Sequence, residues 1–408
     1  MRYRDINTDD DIIASALSVA NLVGQKAYRD ILNARISKAE AKGYIAPFEK
    51  KILSLTQELR VIETERRRKK LSTRIFQTCP EGANLLLGIG QTIPHLSENG
   101  KKKLSDSIQT GISDDKLRAL NHEFRVAERI SNVGYDVHFA DLETDSLSAG
   151  IRTPDIVASR GELAFDVEAK NVTNFIGLPV NPADQDKLWN LVRSGFTAWE
   201  DENTVPIVNV SFDGRFSSNQ DYHRRILAQV NSSTAQKITD EIDIGDNTRV
   251  KYLGAVPFTS AEHMKFNSER DRDATATNVI LRFVHPRLIL RLTPTKIRNT
   301  FKNRIYATIS EASKQCSGTL PAVIWCHIEY ISEKDFLSLN GQDSFLKSVA
   351  DRVFLSPKRE HVVQLIFSGA SLKISAIKKG IPIVRCGYRS IIFNSPTKKY
   401  GGLTLFPS

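Results

Sequence analysis

The chain has 408 residues and is basic, with 57 Lys and Arg against 47 Asp and Glu and a formal charge of +10. That length supports a sizeable core and two or three domains. No apolar run approaches membrane-spanning length and Met1 to Asp10 hold no apolar signal core, so the expectation is a cytoplasmic protein without a membrane partner.

In chain order, the N-terminal third reads as mostly helical. Ile52, Leu55, Leu59 and Ile62 keep a three-four spacing along Pro47 to Ile75, which predicts a long helix in which Glu58, Glu63 and Glu65 mix with the basic run Arg66 to Lys70. Such a helix serves either as an arm for dimerisation or DNA contact or as an intramolecular element. Lys101 to Lys103 read as a linker. Leu117 to Val133 forms an amphipathic helix with Leu117, Leu120, Phe124, Ala127 and Ile130 on one arc. Ser113 and Asp114 offer N-cap oxygens and Gly134 a C-terminal cap. Glu123 falls on the apolar arc, where a carboxylate costs several kcal/mol unless it is paired. His122 is read as a surface residue.

Tyr135 to Phe139 alternates as a strand. Residues 154–170 then read as a hairpin whose second strand, Leu163 to Lys170, points Phe165, Val167 and Ala169 to one face and Asp166, Glu168 and Lys170 to the other. The turn brings Asp155 alongside the acids. Ala183 to Trp199 reads as a second amphipathic helix, and Val205 to Phe212 as a strand. Beyond residue 236 the alternation continues. Strands are predicted at Tyr252 to Phe258, Asn278 to Phe283, Leu288 to Leu292, Ala322 to Tyr330, Val362 to Phe367 and Ile381 to Cys386, with helices at Lys296 to Gln315 and Glu333 to Val353. Ser268 to Thr277 reads as an exposed loop.

Pro154-Asp155, a gap, then Glu168-x-Lys170 resembles the signature of the PD-(D/E)XK nuclease superfamily, which has the restriction-endonuclease-like fold. The resemblance implies an α/β fold with an α-β-β-β-α-β core. In this chain its elements are the helix at 117, the strand at 135, the hairpin, the helix at 183 and the strand at 205. The implied division is a helical N-terminal domain (1–115), a nuclease core (116–235) and a C-terminal basic α/β domain or core extension (236–408). It further implies that Asp155, Glu168 and the Ala169 carbonyl bind Mg²⁺, with Mn²⁺ as a substitute. Lys170 orients or deprotonates water, and Glu123 holds a second ion or the water around the first. Asp166 is a neighbouring candidate, Arg152 and Asn171 flank the site, and Gln185 and Trp189 resemble a Gln-x-x-x-Tyr element with Trp in place of Tyr. The implied activity is hydrolysis of phosphodiester bonds, most simply by a DNA endonuclease in restriction or defence, with RNA also open and a homodimer compatible with double-strand cutting. The alternative is a nucleic-acid-binding protein with an inert site.

Charge by segment agrees: +4 for residues 1–115, −5 for 116–235, +3 for 236–354 and +8 for 355–408. Basic stretches flanking an acidic one suit a metal site beside phosphate-holding surfaces. No phosphate-binding Gly-x-x-x-x-Gly-Lys-(Ser/Thr) loop, Gly-x-Ser-x-Gly elbow or His-Glu-x-x-His motif occurs. Cys79, Cys316, Cys326 and Cys386 have no zinc spacing and read as reduced thiols.

Overall fold

The computed structural model describes residues 1, 9–41, 47–68, 78–114, 116–144, 153–173, 180, 182–201, 203–213, 216–257, 281–285, 288–295, 300–329, 331, 333–340, 345–378, 381–396, 399–400 and 402–407. The chain forms two compact units. The first comprises Met1–Ile45, Glu49–Asn174 and Lys302–Ser408; the second comprises Ala46–Phe48 and Phe175–Phe301. This corrects the three-domain division at residues 115 and 235. The N-terminal helices share a unit with the acidic hairpin and the C-terminal segment, and the second unit is largely an insertion between them.

The first unit opens with α1 (Asp9–Val23), α2 (Gln25–Glu40), α3 (Pro47–Arg68), α4 (Pro80–Thr92), α5 (Glu98–Ser113) and α6 (Leu117–Asn132). Leu55, Leu59 and Ile62 of α3 are buried in the unit's own core, so this helix is an intramolecular element. Lys101 to Lys103 lie within α5 rather than in a linker. Ser97 caps that helix, its Oγ accepting a hydrogen bond from the Gly100 amide at 3.1 Å. Asp114 accordingly ends α5 instead of capping α6, which begins after Lys116 without a side-chain cap. The α6 arc is buried as its spacing predicts. Gly134 stops the helix with φ 88°, a conformation that disfavours a Cβ.

After α6 come β1 (Asp136–His138), the short α7 (Ala140–Glu143), β2 (Ile156–Arg160) and β3 (Leu163–Thr173). The second unit then contributes α8 (Pro182–Gly195), β4 (Thr204–Phe212), α9 (Gln220–Ala235), β5 (Ile242–Asp243), β6 (Thr248–Pro257), β7 (Leu281–His285) and β8 (Leu288–Pro294). These strands make a five-stranded sheet of order β5-β6-β4-β8-β7, with a separate core built on Leu188, Val192, Val210, Ile226 and Leu290. The loop predicted at Ser268 to Thr277 lies outside the described residues.

The chain returns to the first unit through α10 (Thr300–Gln315), β9 (Ala322–Glu329), α11 (Glu333–Ser338), α12 (Phe345–Phe354), β10 (Val362–Lys378) and β11 (Ile381–Asn394). The first sheet has six strands in the order β1-β2-β3-β9-β10-β11. Within it β9 runs parallel to β3 on one side and to β10 on the other, and the remaining pairs are antiparallel.

The helix at 183 and the strand at 205 therefore do not complete the core with the hairpin. They are α8 and β4, and β4 pairs with β6 and β8 in the other sheet. Within the first unit it is β9, following α10, that stands beside β3 in the sheet holding β1 and β2. A parallel neighbour needs a crossover connection, and here that connection contains a whole folded unit. Both β4 and β9 are strongly apolar, so local pattern cannot choose between them. Every residue of β9 is buried, as suits a central strand flanked by parallel neighbours.

Candidate active site

The hairpin pairs β2 with β3 from Ile156 opposite Val167 to Arg160 opposite Leu163, and Gly161 makes the turn with φ 60°. Ile156, Ala158, Phe165, Val167 and Ala169 enter the core. Alternation sends Glu168 and Lys170 to the opposite face, next to Asp155 at the foot of β2. Two hydrogen bonds lock this junction. The Asp155 amide donates to Glu168 Oε2 at 3.1 Å, and the Ala169 amide donates to Asp155 Oδ2 at 2.8 Å. Lys170 Nζ pairs closely with Glu168 Oε1 and lies 3.9 Å from Asp155 Oδ2.

Glu123 joins the same electrostatic cluster. Burial, then the charges of Asp155 and Asp141, push its carboxyl well above the usual range. Among the charges acting on this buried-arc glutamate are those of both hairpin acids. Burial raises Glu168 to about 8, with Asp155 adding to the effect and Lys170 opposing it. Burial also raises Asp155, against the pull of Lys170 and the Ala169 amide. Burial opposes the charge on Lys170, but Asp155 and Glu168 outweigh it and the ammonium is held more firmly than usual.

Asp141 is a member that the sequence reading missed. Burial and the Asp155 charge raise its pKa to about 7. Its position follows from α7, whose first amide, that of Ala140, donates to the Asp155 carbonyl at 3.1 Å. Lys103 Nζ holds the other end, donating to the carbonyls of Asp141 at 3.1 Å and Thr144 at 2.6 Å. A single turn of helix between β1 and β2 leaves no periodicity to read. The one available signal was an acid just after a strand that feeds the hairpin.

Other expectations are redirected. Asp166 Oδ2 accepts from the Ser317 amide at 2.6 Å, so this buried acid holds the turn after α10. Asn171 Nδ2 donates to Glu329 Oε1 at 2.8 Å, on the α6 side of the sheet, and so does not flank the site. Trp189 packs against the second unit's core, and Gln185 shares its helix. Arg152 lies outside the described residues.

His122 is buried, not a surface residue. Its Nε2 donates to the Trp325 carbonyl at 3.2 Å, and its ring stacks on His327 with centroids 5.2 Å apart. His327 Nδ1 and Trp325 Nε1 both meet Ser368 Oγ, at 3.0 and 2.9 Å. Burial lowers the His122 pKa to about 4, and it lowers that of His327 as well. The buried arc of α6 is wider than its apolar residues indicate because polar residues of β9 and β10 lie opposite it.

Among the described residues no three His, Cys, Asp or Glu side chains converge closely enough to hold a metal ion as they stand. The Lys170 ammonium lies by both Glu168 and Asp155. No helix among the described residues is long and apolar enough to cross a membrane. Comparisons of the chain with family models, with curated proteins and with solved structures return no match.

Proposed function

We propose that the first unit is a metal-dependent nuclease of the PD-(D/E)XK type that hydrolyses phosphodiester bonds in DNA. One observation carries the reading: burial makes Glu123, Asp141, Asp155 and Glu168 hold protons more tightly than free carboxyls do, and the Asp155 charge adds to the effect at the other three. Uncompensated negative charge in a partly dry site is costly, and its retention is a mark of function.

The donor chemistry fits a hard divalent cation, because every donor is a carboxylate or carbonyl oxygen. Asp155, Glu168 and the Ala169 carbonyl, with Glu123, would hold Mg²⁺ or Mn²⁺. Such an ion supplies Lewis-acid polarisation of phosphate and a more acidic bound water. The chain's own residues do the rest. The hydrogen bonds that the Asp155 amide donates to Glu168 and the Ala169 amide donates to Asp155 fix the carboxylates relative to each other before any ligand arrives. Lys170, held as an ammonium, orients water and stabilises charge on the phosphate oxygens.

The competing reading is a nucleic-acid-binding protein with an inert site. The two separate on incubating the full chain with plasmid and linear DNA, with and without Mg²⁺ or Mn²⁺. Cleavage that requires the metal is expected, and Asp155→Ala and Lys170→Ala should abolish it while leaving the fold intact. DNA binding without cutting by the wild type favours the inert site. Undiminished cutting by both variants removes these residues from the chemistry.

A further inference from the structure

Past Gly369 the first sheet narrows to two strands. β10 follows β9 only from Val362 to Gly369, whereas its pairing with β11 continues to Lys378 opposite Ile381. Ala370 to Lys378 and Ile381 to Tyr388 therefore form an antiparallel ribbon with no third strand beside it among the described residues. At about 3.3 Å per residue it reaches roughly 30 Å past its last β9 partner.

Register places this ribbon beside the site. Lys170 lies opposite Cys326 of β9, and Cys326 lies opposite Phe367 of β10. With neighbouring strands about 4.8 Å apart, Phe367 stands roughly 10 Å from Lys170 along the same row of the sheet. The ribbon departs just beyond Phe367, from the C-terminal end shared by the parallel strands β3, β9 and β10.

Composition points the same way. Residues 370–394 contain Lys373, Lys378, Lys379, Arg385 and Arg389 and no Asp or Glu. Arg389, at the base, is 3.8 Å from Glu333. Lys373 and Arg385 are directly opposed in register. A strand pair whose sequence carries one sign of charge is complementary to an anionic ligand. The charge also belongs to the unit that holds the site. The second unit has 16 basic and 15 acidic residues, leaving 41 and 32 in the first.

We infer that the β10–β11 ribbon is a contact surface for duplex DNA, laid beside the active-site strands. The major groove of B-DNA, about 12 Å wide, admits a two-stranded ribbon. The deep, narrow major groove of A-form RNA does not. The inference takes its substrate class from the nuclease reading and is independent of whether the site cuts.

The test is binding of a labelled DNA duplex by the full chain in EDTA, followed by fluorescence anisotropy between about 50 and 200 mM salt. The double variant Lys373→Gln/Arg385→Gln should bind at least about tenfold more weakly, with the slope of log affinity on log salt reduced by about 1.8, or about 0.9 per phosphate contact. Lys373→Arg/Arg385→Lys should retain both affinity and slope, which guards against a merely structural loss. Unchanged affinity and slope in the Gln variant overturn the inference. So does failure of the wild type to bind the duplex, preferential binding of an RNA duplex of the same sequence, or an altered oligomeric state with DNA affinity intact. Ribbon-dependent binding by a wild type that never cuts would remove the nuclease reading and leave the ribbon's role standing.

Discussion

Strand β3 carries polar residues on both faces, and the two faces have opposite character. Toward α6, Asn171 is joined to Glu329, and in the same layer His122, His327, Trp325 and Ser368 form a hydrogen-bonded group in which burial keeps both imidazoles neutral. On the other face Glu168 and Lys170 meet Asp155, and the charges there are not balanced. Buried polar groups that neutralise themselves and share hydrogen bonds serve the fold. Buried acids that are not fully compensated lower stability.

The contrast predicts opposite pH signatures. Glu168 and Asp141 have folded pKa values raised to about 8 and about 7. Their stabilising protonation is fully present below the ordinary carboxylate range and is lost as pH rises through those values. His122 is lowered to about 4, so its contribution is present above its ordinary value of 6.5 and is lost as pH falls toward about 4. Burial raises Glu58 to about 7, which adds to the first trend, so variants rather than the wild type alone must separate the faces.

The largest expected effect is that of Lys170→Met, which leaves the acids without their ammonium. Thermal unfolding should show a loss of about 3–5 kcal/mol near pH 8, shrinking near pH 5 as the acids take up protons. An equal loss at both pH values would contradict the charge imbalance. Glu168→Gln comes next. It should flatten the fall in Tm between pH 6.5 and 8 by an amount worth up to a few kcal/mol, while abolishing DNA cleavage. A pH profile that keeps the wild-type slope would show that Glu168 is not the group responsible.

On the neutral face, His122→Ala should cost about 1–3 kcal/mol at pH 7 and reduce the loss of stability on acidification, both read from denaturant unfolding. If the variant retained the full acid sensitivity, the imidazole would not be buried neutral. Asn171→Ala is the mildest, at about 1 kcal/mol, and cleavage should be unchanged because the amide serves Glu329. Weakened cleavage there would bring the α6 side of the strand into the chemistry. Addition of Mg²⁺ near pH 8 supplies a control for the whole comparison. At about a hundred times its dissociation constant it should stabilise the wild type by about 2.7 kcal/mol and Asp155→Ala by far less.

Local pattern made much of this legible. Phe165, Val167 and Ala169 alternate with Glu168 and Lys170, and a period of two assigns them to opposite faces without any knowledge of the partner strands. The helical arc of α6 likewise marked Glu123 as a carboxylate in an apolar direction. Asp141 was not legible, because one turn of helix carries no period and its role depends on Ala140 reaching the Asp155 carbonyl. His122 was misread for a related reason: nothing within α6 reveals that His327 and Trp325 lie across from it.

By itself, then, the sequence determined the hairpin, the faces of β3 and the apolar direction of Glu123 on its helix, since each rests on contacts or periodicities within a few residues. Tertiary structure alone decided that β9 rather than β4 stands beside β3, that α10 rather than α8 is the crossover helix, and that a folded unit separates them. Strand pairing at that separation depends on which apolar faces bury each other best, and equally apolar strands such as β4 and β9 carry no local mark of their partners.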